Sequence, residues 1–280
     1  MESHPPSNDE CTMDSEVDYT MYWGLWALPF DNVPDPRFYV PSSPHDAAHR
    51  WLSYGIQTHK GMLLLTGDIG CGKTLLSRRL IVGLPPAQYD VAFVANPALS
   101  PSELLDEVLS QFGLDRVRLR VGQMRTLNER LQSNAQRRIS SVLVMDKAQA
   151  IESVRVFEDL RLLTNFQLND RLPLTVMLIG QPELRHRVAG IQQLKQRIAV
   201  RKHLGPFTTE ETTSYITSRM TAAIHWTGVF TKEAVAVIYE RSKGIGRLIY
   251  ALCDQYLFAG AIEDASQIDD RLVQRVGQFI

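Results

Sequence analysis

Cysteine is scarce in this chain. Cys11, Cys71 and Cys253 are odd in number and far apart, so neither a disulfide framework nor a metal-ligand spacing is present, as suits a reducing compartment. Long apolar runs are absent too, and none approaches the length of a membrane span. Basic charge is missing from the N-terminus: residues 1–20 hold six carboxylates (Glu2, Asp9, Glu10, Asp14, Glu16, Asp18) and no Lys or Arg. That excludes a signal peptide and reads as a disordered acidic tail. A formal net charge of −1 excludes a global field that would gather nucleic acid or membrane. No sequence repeat stands out, and no low-complexity segment beyond the tail. These absences leave an expectation of a cytoplasmic globular chain. Its 280 residues, 44% hydrophobic and 22% charged, can bury a sizeable core in one or two domains.

What is present is organised around residues 61–80, GMLLLTGDIGCGKTLLSRRL. The apolar run Met62–Leu65 reads as a buried strand, and Leu75-Leu76 begins an apolar-periodic helix. Between them, Gly67 to Thr74 fits G-x-x-x-x-G-K-[ST]. The order strand, glycine loop, helix is the context of a phosphate-binding P-loop. Gly67, Gly70 and Gly72 permit a Cβ-free path along which backbone N–H groups of Asp68, Ile69, Cys71 and Leu75 can face phosphate oxygens. The following helix N-terminus adds partial positive charge. Lys73 can reach the β- and γ-phosphates, and the Thr74 hydroxyl can ligand Mg²⁺. Cys71 lies within the loop, where a helix N-terminus could lower its pKa. A tolerated loop position is the simpler reading, with redox control the alternative.

The rest of the chain alternates strands and helices. Tyr22-Trp23-Gly24-Leu25-Trp26-Ala27-Leu28-Pro29-Phe30, running on to Tyr39, is aromatic and interrupted by Pro34 and Pro36. Its rings either pack on a core edge or help to hold an adenine. A helix is expected from Ser43 to about His59, strands over 90–96, 141–146 and 174–180, and a helix opened by Ser100-Pro101-Ser102-Glu103. Arg116, Arg118, Arg120, Arg125, Arg130, Arg137 and Arg138 make residues 116–138 a basic helical stretch. A solvated face accounts for it; contacts to a neighbouring subunit, an acidic partner or a nucleic-acid backbone are the alternatives. From about Gly205 only helices follow. The fold class is therefore α/β, a parallel sheet with helices on both faces, then a small all-α lid. The expected divisions are a tail over 1–20, a P-loop domain over 21–205 whose leading segment is 21–44, and a helical lid over 206–280.

The third strand ends in Asp146, the place from which a P-loop ATPase holds Mg²⁺, usually through water. Many such enzymes follow it with the Glu that activates the attacking water, and here the next residue is Lys147. A charged lysine cannot accept that proton. Losing a general base costs on the order of 10²–10⁴-fold in rate. The sequence thus predicts tight ATP binding with slow or absent hydrolysis, unless Glu152 or Glu183 replaces the base.

Beyond these motifs the chain resembles the ExeA/GspA-type secretion ATPases of the AAA+ superfamily, including relatives linked to exosortase and exopolysaccharide loci. The resemblance is carried by residues 34–39, 54–56, 65–70, 162–168, 180–184, 196–200, 203–206 and 244–249, and covers about residues 20–265. It implies an AAA+ core with ATP (or ADP) and Mg²⁺ as cofactors, held through Thr74 and Asp146 at the metal. It implies that Gln181 is a sensor-1 residue orienting water and that Arg247 is a sensor-2 arginine reaching the γ-phosphate from the lid. Arg197, or less readily Arg201, is implied as an arginine finger acting on a neighbour's nucleotide, which requires a homo-oligomer. The family's Asp-Glu-Ala-Gln is Asp146-Lys147-Ala148-Gln149 here, a departure that bears on turnover rather than binding. Some members continue into a membrane span and a peptidoglycan-binding domain, and neither is expected here. The partner implied is a protein of the secretion or envelope apparatus. Two other readings stay open: a DNA-associated AAA+ adaptor of the transposition type, and an active ATPase with a displaced base.

Overall fold

The computed structural model describes residues 18–30, 43–164, 172–224 and 228–276. Residues 1–17, Pro34 to Tyr39 and Asn165 to Leu168, on which part of the sequence reading fell, lie outside the described residues. In chain order the elements are α1 (Tyr19–Trp23), α2 (Ser43–Gln57), β1 (Met62–Gly67), α3 (Lys73–Val82), β2 (Tyr89–Val94), α4 (Pro101–Gln111) and α5 (Arg120–Gln136). Then come β3 (Ser140–Met145), α6 (Val154–Leu163), β4 (Leu174–Gly180), α7 (Pro182–Gly190), α8 (Gln192–Arg197) and β5 (Ile198–Leu204). Four helices end the described chain: α9 (Thr209–Ala223), α10 (Lys232–Ser242), α11 (Gly246–Ile262) and α12 (Asp270–Val276).

The five strands are all parallel, in the order β2-β3-β4-β1-β5. Parallel strands are covered on both faces, and the alternation along β1 shows how. Met62 and Leu64 enter one core with residues of α4 to α8, while Leu63 and Leu65 enter another with Leu52 and Ile56 of α2 and Leu76 of α3. Register then sets the site. Thr66 pairs with Gly180 and Met145 with Leu178, so the loops carrying Gly67, Asp146 and Gln181 leave the sheet at one edge. Ligands of open α/β sheets sit at that carboxyl edge.

Three findings go beyond the sequence reading. β5 is a fifth strand that the sequence did not announce. It is an edge strand with alternating burial, and Arg201, Lys202 and His203 dilute its apolar signal. Tyr19, Trp23, Leu25 and Phe30 pack in the core of α9–α12 rather than on the α/β body. Trp23 Nε1 donates to the Leu257 carbonyl at 2.8 Å, and Trp26 N to the Ala223 carbonyl at 3.1 Å. Trp23, Leu25 and Phe30 of the aromatic segment are therefore core material, while Tyr22 and Trp26 are exposed, and the bond from Trp23 spans 234 residues of sequence. Lastly, the basic stretch is largely neutralised. Arg116 and Arg130 meet Asp106 and Asp90 at 2.9 Å, Arg125 meets Glu129 at 2.9 Å, and Arg120 pairs with buried Asp159.

Candidate functional site

The P-loop runs from β1 into α3 as expected, with Gly70 and Gly72 at φ +82° and +81°, in the left-handed region that favours glycine. Between this loop and the helical body lies a cavity of about 320 Å³. Ile69, Gly70, Cys71, Gly72, Lys73, Thr74 and Leu75 line its floor, and Asp146, Lys147 and Gln181 line the sheet side. Arg247 closes it from α11. Gly67 and Asp68 stand behind the floor: Lys73 Nζ donates to both of their carbonyls at 2.7 Å. Burial pulls the Lys73 ammonium below its ordinary pKa, against the pull of Cys71, Asp146 and Asp68.

Thr74 Oγ1 donates to Asp146 Oδ2 at 2.9 Å, while Asp146 Oδ1 accepts from the Lys147 backbone N–H at 2.8 Å. A hydroxyl and a buried carboxylate side by side are hard oxygen donors of the kind Mg²⁺ selects. No cluster of three metal-ligating side chains exists among the described residues. A cation held here would complete its shell with water and phosphate oxygens, which is how Mg²⁺ accompanies nucleotides. The donor set fits.

Lys147 has a left-handed backbone, φ 53°, and belongs to the cavity lining. Asp146 is the sole carboxylate among the described lining residues, since exposed Glu152 and Glu183 contribute nothing to it. Gln149 takes a place that the sequence reading did not assign. Its Oε1 accepts from the Gln181 backbone N–H at 3.2 Å, and both glutamines line the same cavity as Asp146.

The lid touches the loop directly. Arg247 N donates to the Gly70 carbonyl at 3.1 Å. A second, indirect link runs through His45 of α2, whose Nε2 lies 2.9 Å from the Cys71 carbonyl. Since a carbonyl only accepts, Nε2 carries the hydrogen. The His45 ring stacks at 5.3 Å on Phe207, and Phe207 at 5.2 Å on Tyr215. Phe207 N donates to the Gly244 carbonyl at 2.8 Å, which ties the stack to the lid. Arg219, over the Tyr215 ring at 5.1 Å, and Tyr250 finish this flat aromatic end of the cavity. His45, Phe207, Tyr215, Arg219 and Tyr250 did not announce themselves in sequence, since each lies far along the chain from the loop it faces. Cys71 is buried, and burial raises its thiol pKa, with Asp68 adding to the rise. The loop thiol is not activated. Arg197 sits exposed at the end of α8 and is not part of the cavity lining, nor is Arg201, whose guanidinium donates to the Lys195 carbonyl.

Comparison with known proteins bears on the same region. Residues 56–188 match a family model described as an AAA domain. General secretion pathway protein A of Aeromonas hydrophila is 35% identical over 254 residues, covering 89% of this chain and 46% of that protein. The chain thus spans about half the length of this relative. Among solved structures, Drosophila ORC bound to DNA is similar at TM-score 0.66 and 16% identity, over 99% of this chain and 68% of that one. The Aeropyrum pernix ORC2 protein matches at TM-score 0.63 and 15% identity, over 89% and 71%. The Thermotoga maritima RuvB branch migration motor matches at 0.57 and 18%, over 84% and 68%. These likenesses are of fold.

Proposed function

This chain is an AAA+ P-loop protein related to the ExeA/GspA-type secretion ATPases, and on that premise we propose that it is a nucleotide-gated, homo-oligomeric component of a cytoplasmic-side export or envelope apparatus that holds ATP and turns it over slowly. One observation carries the reading: Lys147 lines the cavity beside Asp146, the sole carboxylate in the described lining. Bound Mg·ATP supplies the phosphoryl charge and the cleavable anhydride. With nucleotide bound, Lys73 would exchange the Gly67 and Asp68 carbonyls for phosphate oxygens, and Thr74 with Asp146 would hold the metal. Gln149 and Gln181 can orient a water but cannot take its proton. Arg247 faces the same space from the lid, so nucleotide and lid position are linked. Arg197, exposed and outside its own cavity, is free to act on a neighbour's nucleotide, and this supports the oligomer.

The DNA-adaptor reading set its phosphate contacts on residues 116–138, where Arg116, Arg120, Arg125 and Arg130 already meet carboxylates of this chain. An active ATPase with a displaced base finds no second carboxylate in the described lining. The test is ATP affinity with Mg²⁺ followed by phosphate release over hours, on wild type and Lys147→Glu. The expected result is tight binding by both, negligible release by wild type, and a gain of about 10²–10⁴-fold in the variant. Equal, ordinary rates in the two proteins would overturn the gated reading.

A further inference from the structure

The outer face of α2 carries chemistry that nucleotide binding does not use. Trp51 and Tyr54 are 50% and 46% exposed there, with ring centroids 6.1 Å apart in an edge-on arrangement. Lys202 of β5 stands over the Trp51 ring at 4.9 Å, and Lys60, just past α2, over the Tyr54 ring at 5.7 Å. Arg50 joins the two rings around a shallow, open hollow. None of these three cations pairs with a carboxylate among the described residues. On the nearby edge strand and the helix before it, residues 192–204 contain no Asp or Glu at all.

Two large rings left half in water, ringed by unpaired cations, call for an explanation outside the monomer, because their outer halves bury nothing within it. Trp and Tyr favour the bilayer interface, where an amphipathic ring sits at headgroup level, and Lys and Arg beside them meet lipid phosphates. We propose that this face docks the chain on an anionic bilayer surface, with Trp51 and Tyr54 at headgroup depth and Arg50, Lys60 and Lys202 on lipid phosphates. No helix among the described residues is long and apolar enough to cross a membrane, and the patch needs none to meet a bilayer surface. Lipid is favoured over nucleic acid on two counts. The cluster is compact, with each neighbour about 5–6 Å from the next, whereas a strand of nucleic acid follows an extended track of cations. Each ring also has a lysine over its face, where a base would stack, while interfacial anchoring needs no free face. The patch is separate from the nucleotide cavity and does not depend on the reading of that cavity.

The test is co-sedimentation of the full chain with phosphatidylcholine vesicles, with and without phosphatidylglycerol, at low and high salt. Binding is expected only with phosphatidylglycerol, weakening with salt. Each cation near such a surface is worth about fivefold in partition, so the Lys60→Gln/Lys202→Gln double variant should bind about 25-fold more weakly. Trp51→Phe should remove most of the lipid-induced blue shift in tryptophan fluorescence. Both variants should keep wild-type ATP affinity, which shows that they fold. No binding to phosphatidylglycerol vesicles, or equal binding by wild type and double variant, would overturn the proposal. Duplex DNA binding lost in the double variant, without vesicle binding, would reassign the face to nucleic acid. Self-association lost in that variant, again without vesicle binding, would reassign it to a second copy.

Discussion

Gly70→Ala isolates the contact between phosphate loop and lid, and Gly113→Ala is its control. Both glycines have positive φ, +82° at Gly70 and +68° at Gly113. An alanine Cβ at 113 meets nothing within 4 Å, so that substitution carries only the left-handed backbone penalty, about 1 kcal/mol. At 70 the new Cβ falls 2.8 Å from Arg247 Cβ and 2.9 Å from Ile245 Cγ2. A Cβ cannot rotate away, so the start of α11 must retreat. The retreat lengthens the 3.1 Å bond from Arg247 N to the Gly70 carbonyl, worth about 1 kcal/mol. Gly70→Ala should therefore cost about 2–3 kcal/mol in all. With about 2–4 °C of Tm per kcal/mol in a chain of this size class, the control drops by a few degrees and Gly70→Ala by at least twice as much. The two should differ more sharply in nucleotide affinity. The control keeps it, whereas Gly70→Ala distorts the floor and displaces Arg247, weakening ATP by at least about tenfold, or about 1.4 kcal/mol. Thermal unfolding and titration calorimetry with Mg·ATP read both effects. Equal Tm losses, with wild-type affinity in Gly70→Ala, would refute the seating of the lid on the loop.

Three further outcomes follow from the same geometry. Trp23→Ala removes a buried indole and its bond to the Leu257 carbonyl, and should cost about 3–5 kcal/mol in thermal unfolding; a loss below about 1 kcal/mol would detach residues 19–30 from the lid core. Thr74→Ala or Asp146→Asn should abolish the gain in ATP affinity on adding Mg²⁺ while leaving the affinity in chelator unchanged, and a surviving Mg²⁺ increment would remove these two as metal ligands. Burial holds the His45 imidazole below its ordinary value of about 6.5, opposed by the Cys71 carbonyl, Glu211 and Asp46. The unfolded chain therefore takes up more protons as pH falls below about 6.5, and stability falls with it toward the lower folded value. His45→Gln should flatten that part of the stability curve, and an unchanged slope in denaturant titrations would discount His45 as a source.

Local chemistry was legible because it is written in contiguous residues. Gly67 to Thr74 specify their own loop through spacing and missing Cβ atoms, and Ser100 with Glu103 write their own capping box, which the structure contains. Asp146 could be found because a buried apolar run of known length delivers it to the strand end. The α/β architecture followed from the same runs. Pairing could not be read this way. β1 lies between β4 and β5 through a register that depends on how the helices between them pack, and β5, half exposed and rich in cations, hides its strand period.

By itself the sequence determined the phosphate loop, the strand-end carboxylate Asp146, the succession of strands and helices, and the lysine where a carboxylate is usual. Each depends only on neighbours along the chain. Only the tertiary structure decided that residues 19–30 belong with the last helices, that His45 and Phe207 brace the loop, and that Trp51 and Lys202 share an open face. Those contacts join segments separated by tens to hundreds of residues. They are chosen by which apolar surfaces cover one another most completely, a property of the assembled core that no local window contains.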